Sequence, residues 1–125
     1  MRYSKLKVSA EATSKLRSLR QRTGLRPNLL CRVALMLSLE EGSAAGRPVP
    51  PEDGMEFNRY TLTGEYDSLF VALLRFVEED SGRRNPLSDQ ELLGLMRTHI
   101  HEGVARLAVR AKKPADIALL AAGTS

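Results

Sequence analysis

Apolar residues recur with helical spacing along most of this chain. Ala12, Leu16 and Leu19 fall at i, i+4 and i+7, one stripe of a first helix. Ser9 has N-cap chemistry, Glu11 suits the positive helix end, and Thr23-Gly24 predicts the stop. Pro27 fits the first turn of a second helix reaching about Leu39. That segment is apolar almost all round: Leu29, Leu30, Cys31, Val33, Ala34, Leu35, Met36, Leu37 and Leu39. A helix without a polar face must be covered on every side, which a chain of this size can hardly do alone. Self-association through Leu29, Leu30, Val33, Met36 and Leu37 is therefore expected.

The flanking segments are less regular. Arg2–Val8 alternates loosely and predicts a short strand or an extended arm. Residues 42–54 hold three prolines and three glycines and read as an exposed connector. Met55–Thr63 alternates partially, as a bulged strand or an extended segment would. From Tyr66 the pattern sharpens, with Tyr66, Leu69, Phe70, Leu73, Leu74 and Val77 on one predicted helical stripe. Glu78, Glu79 and Asp80 close that helix with the wrong sign for its macrodipole, so bases elsewhere should pair with them. Ser88 and Glu91 form a capping box, flanked by Leu87 and Leu92 as a hydrophobic staple. The helix they start carries Leu92, Met96, Ile100, Val104 and Leu107. A short turn from Pro114 to Leu120 follows, and residues 121–125 should fray. The expectation is a mainly α-helical single domain over residues 1–125, with at most one short strand pair.

Charge alters this picture at one end of the chain. Residues 1–39 carry nine bases against one acid, a net +8. Residues 40–80 carry three against ten (−7) and residues 81–125 seven against four (+3). A surplus concentrated in this way is the footprint of a polyanion binder. Lys15, Arg17, Arg20 and Arg22 are the first candidates for phosphate contacts, with Lys5, Lys7, Arg83 and Arg84 behind them. A lone cysteine, Cys31, rules out an internal disulfide and fits a small core residue in a reducing compartment. The basic start leads into an amphipathic segment, and the longest apolar run is too short to span a bilayer. A soluble, cytoplasmic protein is expected.

Catalytic signals are lacking. His99 and His101 point about 200° apart on a helix and cannot chelate one ion, so His99 is expected as a packed, hydrogen-bonded core residue. The acids cluster at helix ends and in the connector rather than converging as a metal-dependent nuclease needs. No phosphate loop, dinucleotide motif or nucleophile elbow is present. No enzymatic activity, cofactor or metal is expected. A basic arm, a helix, a glycine turn and an apolar helix also follow the order of a ribbon-helix-helix regulator, which would read an operator as a dimer. A pure interaction subunit is a third possibility.

Five segments occur together in this order: Leu6–Ser9, KLRSLRQRTG from Lys15, NLLCRVALMLSL from Asn28, GEYDSLFVALL from Gly64 and HIHEGVARL from His99. Together they resemble the DndE family, the small subunit of the bacterial DNA phosphorothioation (sulfur modification) system, from about Leu6 to Ala108. The resemblance implies a mainly helical homotetramer that binds double-stranded DNA with a preference for nicked duplex. It also implies partnership with other subunits of the modification complex. It carries over no catalytic residue.

Overall fold

The computed structural model describes residues 3–79 and 86–121. Ser9 opens helix α1 (Ala10–Thr23), its Oγ accepting from the Ala12 N–H at 3.0 Å. Gly24 closes it at φ 76°, a left-handed conformation that glycine adopts without strain, and its N–H donates to the Arg20 carbonyl. Helix α2 (Pro27–Glu40) begins on Pro27 as predicted.

The segment before α1 forms strand β1 (Lys5–Lys7), which pairs antiparallel with β2 (Glu56–Asn58) of the same chain. Leu6 lies opposite Phe57 and both are buried, while Lys5, Lys7, Glu56 and Asn58 face outward. This corrects the ribbon-helix-helix expectation, in which β1 would pair with the β1 of a second chain. Only Glu56–Asn58 of the Met55–Thr63 segment is strand. Asn58 then caps helix α3 (Arg59–Leu62) by accepting from the Thr61 N–H at 2.8 Å. A 3₁₀ turn at Gly64–Tyr66 leads into α4 (Asp67–Glu79).

Helix α5 (Asp89–Arg110) starts on the predicted capping box, with Ser88 and Glu91 bonded reciprocally and Leu87 and Leu92 both buried. Helix α6 (Pro114–Ala121) ends the described chain. The tail beyond Ala121 and Asp80 lie outside the described residues.

The core is built where α2 and α5 cross. Leu30, Cys31, Ala34 and Leu35 meet Met96, Ile100, Val104 and Leu107 there, all essentially excluded from solvent. Burial pushes the Cys31 thiol up to about 12, so it stays protonated and inert. The helix backbones approach closely at Gly103, where a Cβ would stand 2.0 Å from the Ala34 carbonyl oxygen. The α4 stripe divides. Phe70 and Leu74 turn into the core, whereas Leu69 and Phe76 stay exposed with Leu73 half-buried between them.

Residues 42–54 are mostly exposed, as expected, but two buried points fasten them. Ala44 donates its N–H to Glu78 at 2.8 Å. Pro50 gives its carbonyl to the buried Arg97, whose Nε also donates to the Lys7 carbonyl at 3.0 Å. A third tie runs from Gly54 N–H to the Val8 carbonyl at 2.8 Å.

Candidate nucleic-acid interface

The apolar stripe of α1 dictates what its outer face carries. Leu16 and Leu19 face the core, so Arg17 and Arg20 project into solvent, with no ion pair among the described residues. Lys15 is differently placed, because its Nζ lies 2.8 Å from Glu11 Oε1, one turn earlier. That contact holds the Glu11 carboxyl below its ordinary range. Arg22 is half-buried and donates to the Ala108 carbonyl at 3.2 Å. Lys112 Nζ reaches the same oxygen at 3.5 Å, so the basic tail and the end of α1 meet at the C-terminus of α5. Charge counting alone leaves that convergence hidden, because the two segments lie 90 positions apart. The partial negative charge of a helix C-terminus is its physical cause.

On the ribbon, Lys5 lies 3.7 Å from Glu56, and Lys7 is exposed without an ion pair among the described residues. Arg83 and Arg84 lie outside the described residues. Arg26 and Arg110 are exposed and equally without an ion pair among the described residues.

The predicted apolar surface on α2 is partly covered by the chain itself. Leu30 lies fully inside the core. Leu29 and Met36 are exposed, and Val33 and Leu37 are half-buried. Val33, Met36 and Leu37 line a groove of about 210 Å³ with Phe70 and Leu120.

One cluster has the composition of a hydrolytic triad. His99 Nδ1 lies 2.7 Å from Ser38 Oγ and its Nε2 lies 2.7 Å from Glu78 Oε2. Glu78 also accepts from Ser43 Oγ–H at 2.5 Å and from the Ala44 N–H. Burial alone would raise the Glu78 carboxyl, but these donors and the imidazole outweigh it and hold it below its ordinary range. Ser38, His99 and Glu78 are all buried, so no substrate reaches the hydroxyl. The cluster is a cross-link joining α2, α4, α5 and the connector, and it accounts for the acid at the end of α4. Glu79 pairs instead with Arg75 at 2.9 Å. His101 faces elsewhere, its Nδ1 3.0 Å from Ser9 Oγ at the start of α1.

The model of the DndE family (DNA sulphur modification protein DndE) matches residues 5–114. This chain belongs to the DndE family. The fold is also similar to the crystal structure of DndE from Escherichia coli B7A involved in DNA phosphorothioation modification. The TM-score is 0.71 at 23% identity, over 84% of this chain and 98% of that one. No curated protein sequence matches. Membership in the DndE family ties the chain to DNA sulphur modification and agrees with its mainly helical fold. Among the described residues no helix is long and apolar enough to cross a membrane.

Proposed function

We propose that this protein is a DNA-binding, non-catalytic subunit of a DNA phosphorothioation complex. It holds double-stranded DNA through phosphate contacts, prefers nicked duplex, and works as a homotetramer beside the other subunits. The observation that carries the reading is the outer face of α1. Arg17 and Arg20 stand exposed and without an ion pair among the described residues, while neighbouring Lys15 and Arg22 are engaged. Arg22, Lys112, Lys5 and Lys7 extend the basic surface, and Arg83 and Arg84 join the proposal on charge alone.

The apolar surface of α2 and α4 supports assembly. Leu29 and Met36 on α2, with Leu69 and Phe76 on α4, are exposed and would be covered by a second copy. Each chain then adds one α1 face, and simultaneous contacts turn a modest patch into a useful binder. A nick lowers the bending cost of the duplex, letting several faces engage one DNA.

The test is a salt titration of binding to intact and nicked duplexes of unrelated sequence. Each phosphate contact steepens the slope of log K against log salt by about 0.9. Arg17→Ala with Arg20→Ala should therefore flatten it by about 2 for each engaged chain while leaving the assembly intact. A flat salt dependence in the unaltered protein would overturn the proposal. Met36→Glu should lower the assembly mass in sedimentation, and an unchanged mass would remove α2 from the interface.

A further inference from the structure

An exposed aromatic ring with a cation at its face is a poor use of apolar surface unless something stacks on it. Tyr60 is 80% exposed, more than any other large apolar side chain described. It lines an open cleft of about 770 Å³ with Tyr3, Ser4, Asn58 and Arg59. The Arg59 guanidinium lies over the Tyr60 ring, 5.3 Å from its centroid. Arg59 is itself placed, its N–H donating to the Ser4 carbonyl at 2.9 Å and its side chain lying 4.0 Å from Asp67. The wall behind is fixed by Tyr3, whose hydroxyl is 2.7 Å from Thr63 Oγ1.

We infer that the Tyr3–Ser4 and Asn58–Tyr60 cleft receives an unpaired nucleobase, stacked on the face of Tyr60 away from Arg59. Three features select that ligand class. A π-face is common to all bases, and base–aromatic stacking tolerates any sequence. The Asn58 carbonyl is committed to the Thr61 N–H, which leaves its amide NH₂ without a partner among the described residues. The Ser4 hydroxyl is also free there, so one donor and one donor–acceptor line the cleft for a base edge. Arg59 supplies the positive charge for the phosphate of the same nucleotide. A base within an intact duplex cannot enter, because its neighbours in the stack cover both its faces.

The position of α3 ties this cleft to α2. Asn28 donates to the Thr61 carbonyl at 3.0 Å, and Arg32 Nε donates to the Leu62 carbonyl at 2.6 Å. Helix α3 therefore rides on the N-terminal half of α2, which follows the basic end of α1 through Gly24–Arg26. The inference rests on the DNA-binding reading above and adds to it a pocket for a base outside the helix.

The full-length protein, Tyr60→Ala and Tyr60→Phe are titrated by anisotropy against an intact duplex and the same duplex carrying one bulged adenine. Stacking worth about 1–3 kcal/mol per base corresponds to about a 5- to 150-fold effect. Tyr60→Ala should lose affinity for the bulged duplex by a factor in that range, with intact-duplex binding changed less than about twofold. Tyr60→Phe keeps the ring and should bind like the unaltered protein. Salt-dependent binding of both duplexes with no selective loss in Tyr60→Ala would overturn this inference and leave the DNA-binding reading standing. Absence of binding to either duplex by the unaltered protein would overturn both.

Discussion

Placing a methyl group at Gly103 sets two helix backbones against each other. The added Cβ would stand 2.0 Å from the Ala34 oxygen, 2.5 Å from its carbonyl carbon and 2.8 Å from its Cα, all inside the 3.0 Å that real Cβ atoms respect. These are backbone atoms of α2, so no side chain can rotate away. The helices must separate by about an ångström at the centre of a close-packed core. Overpacking of this kind costs about 1–3 kcal/mol and occasionally more, partly offset by the ~1 kcal/mol that alanine gains over glycine in a helix. Gly94, in the same helix, supplies the control, since a Cβ there would meet only Val49 Cγ2 at 3.9 Å. Gly94→Ala should keep the propensity gain and stabilise by about 0.5–1 kcal/mol. At ~3–5 °C per kcal/mol for a chain of this length, Gly103→Ala should melt several degrees lower and Gly94→Ala a few degrees higher. Thermal melts by circular dichroism at matched protomer concentration read both, because assembly would otherwise shift the midpoint. A midpoint for Gly103→Ala raised as far as that of Gly94→Ala would show no overpacking cost and refute the close approach of α2 and α5.

The buried acid makes a pH-dependent contribution with a definite sign. The Glu78 carboxyl is held below its ordinary range, so its stabilisation is complete above about pH 4.5 and drains away as pH falls through the folded-state value. Glu78→Gln should lose about 1–3 kcal/mol near neutrality, with the gap to the unaltered protein narrowing in acid. A constant gap from pH 7 to pH 3 in denaturant titrations would show that the charge is not what matters. Arg97→Met keeps the apolar stem but leaves the Lys7 and Pro50 carbonyls unpartnered. Hydrogen exchange over residues 42–54 should accelerate, and unchanged protection would mean that the Glu78 and Gly54 anchors suffice. Ser88→Ala breaks the capping box of α5 and should cost about 1 kcal/mol in chemical denaturation. A loss under a few tenths would place the stability of that end in Leu87 and Leu92 instead.

Features determined within one turn of the chain were legible before the structure. The Ser9 and Ser88 caps, the Gly24 stop, the Pro27 start and the α5 stripe all depend on neighbours three or four residues away. Features set by distant partners were not. Periodicity marks Leu69 and Leu74 alike as apolar, yet only packing against the rest of the fold decides that Leu74 turns inward. The macrodipole argument predicts a partner for Glu78, but its enclosure by His99, Ser43 and Ala44 depends on distant segments of the chain. Charge and spacing place Arg17 and Arg20 off the apolar stripe of α1, and the exposure of both side chains follows from that stripe. The meeting of Arg22 with Lys112 depends on the fold of α5 against α1, and the Tyr60 cleft depends on α3, which alternation had marked as extended.

The pairing of β1 with β2 bears on how this protein is made. A strand that must find its mate in another molecule ties folding to encounter, and its rate then depends on concentration. Here Leu6 meets Phe57 across a loop within one chain, so closure is first-order and its cost is the entropy of drawing together residues 51 positions apart. Copies can therefore meet with the ribbon already paired, so that assembly does not wait on strand exchange. In refolding, the fluorescence change of the tyrosines next to the ribbon would keep one rate as the protein is diluted, while any later step that joins copies would slow.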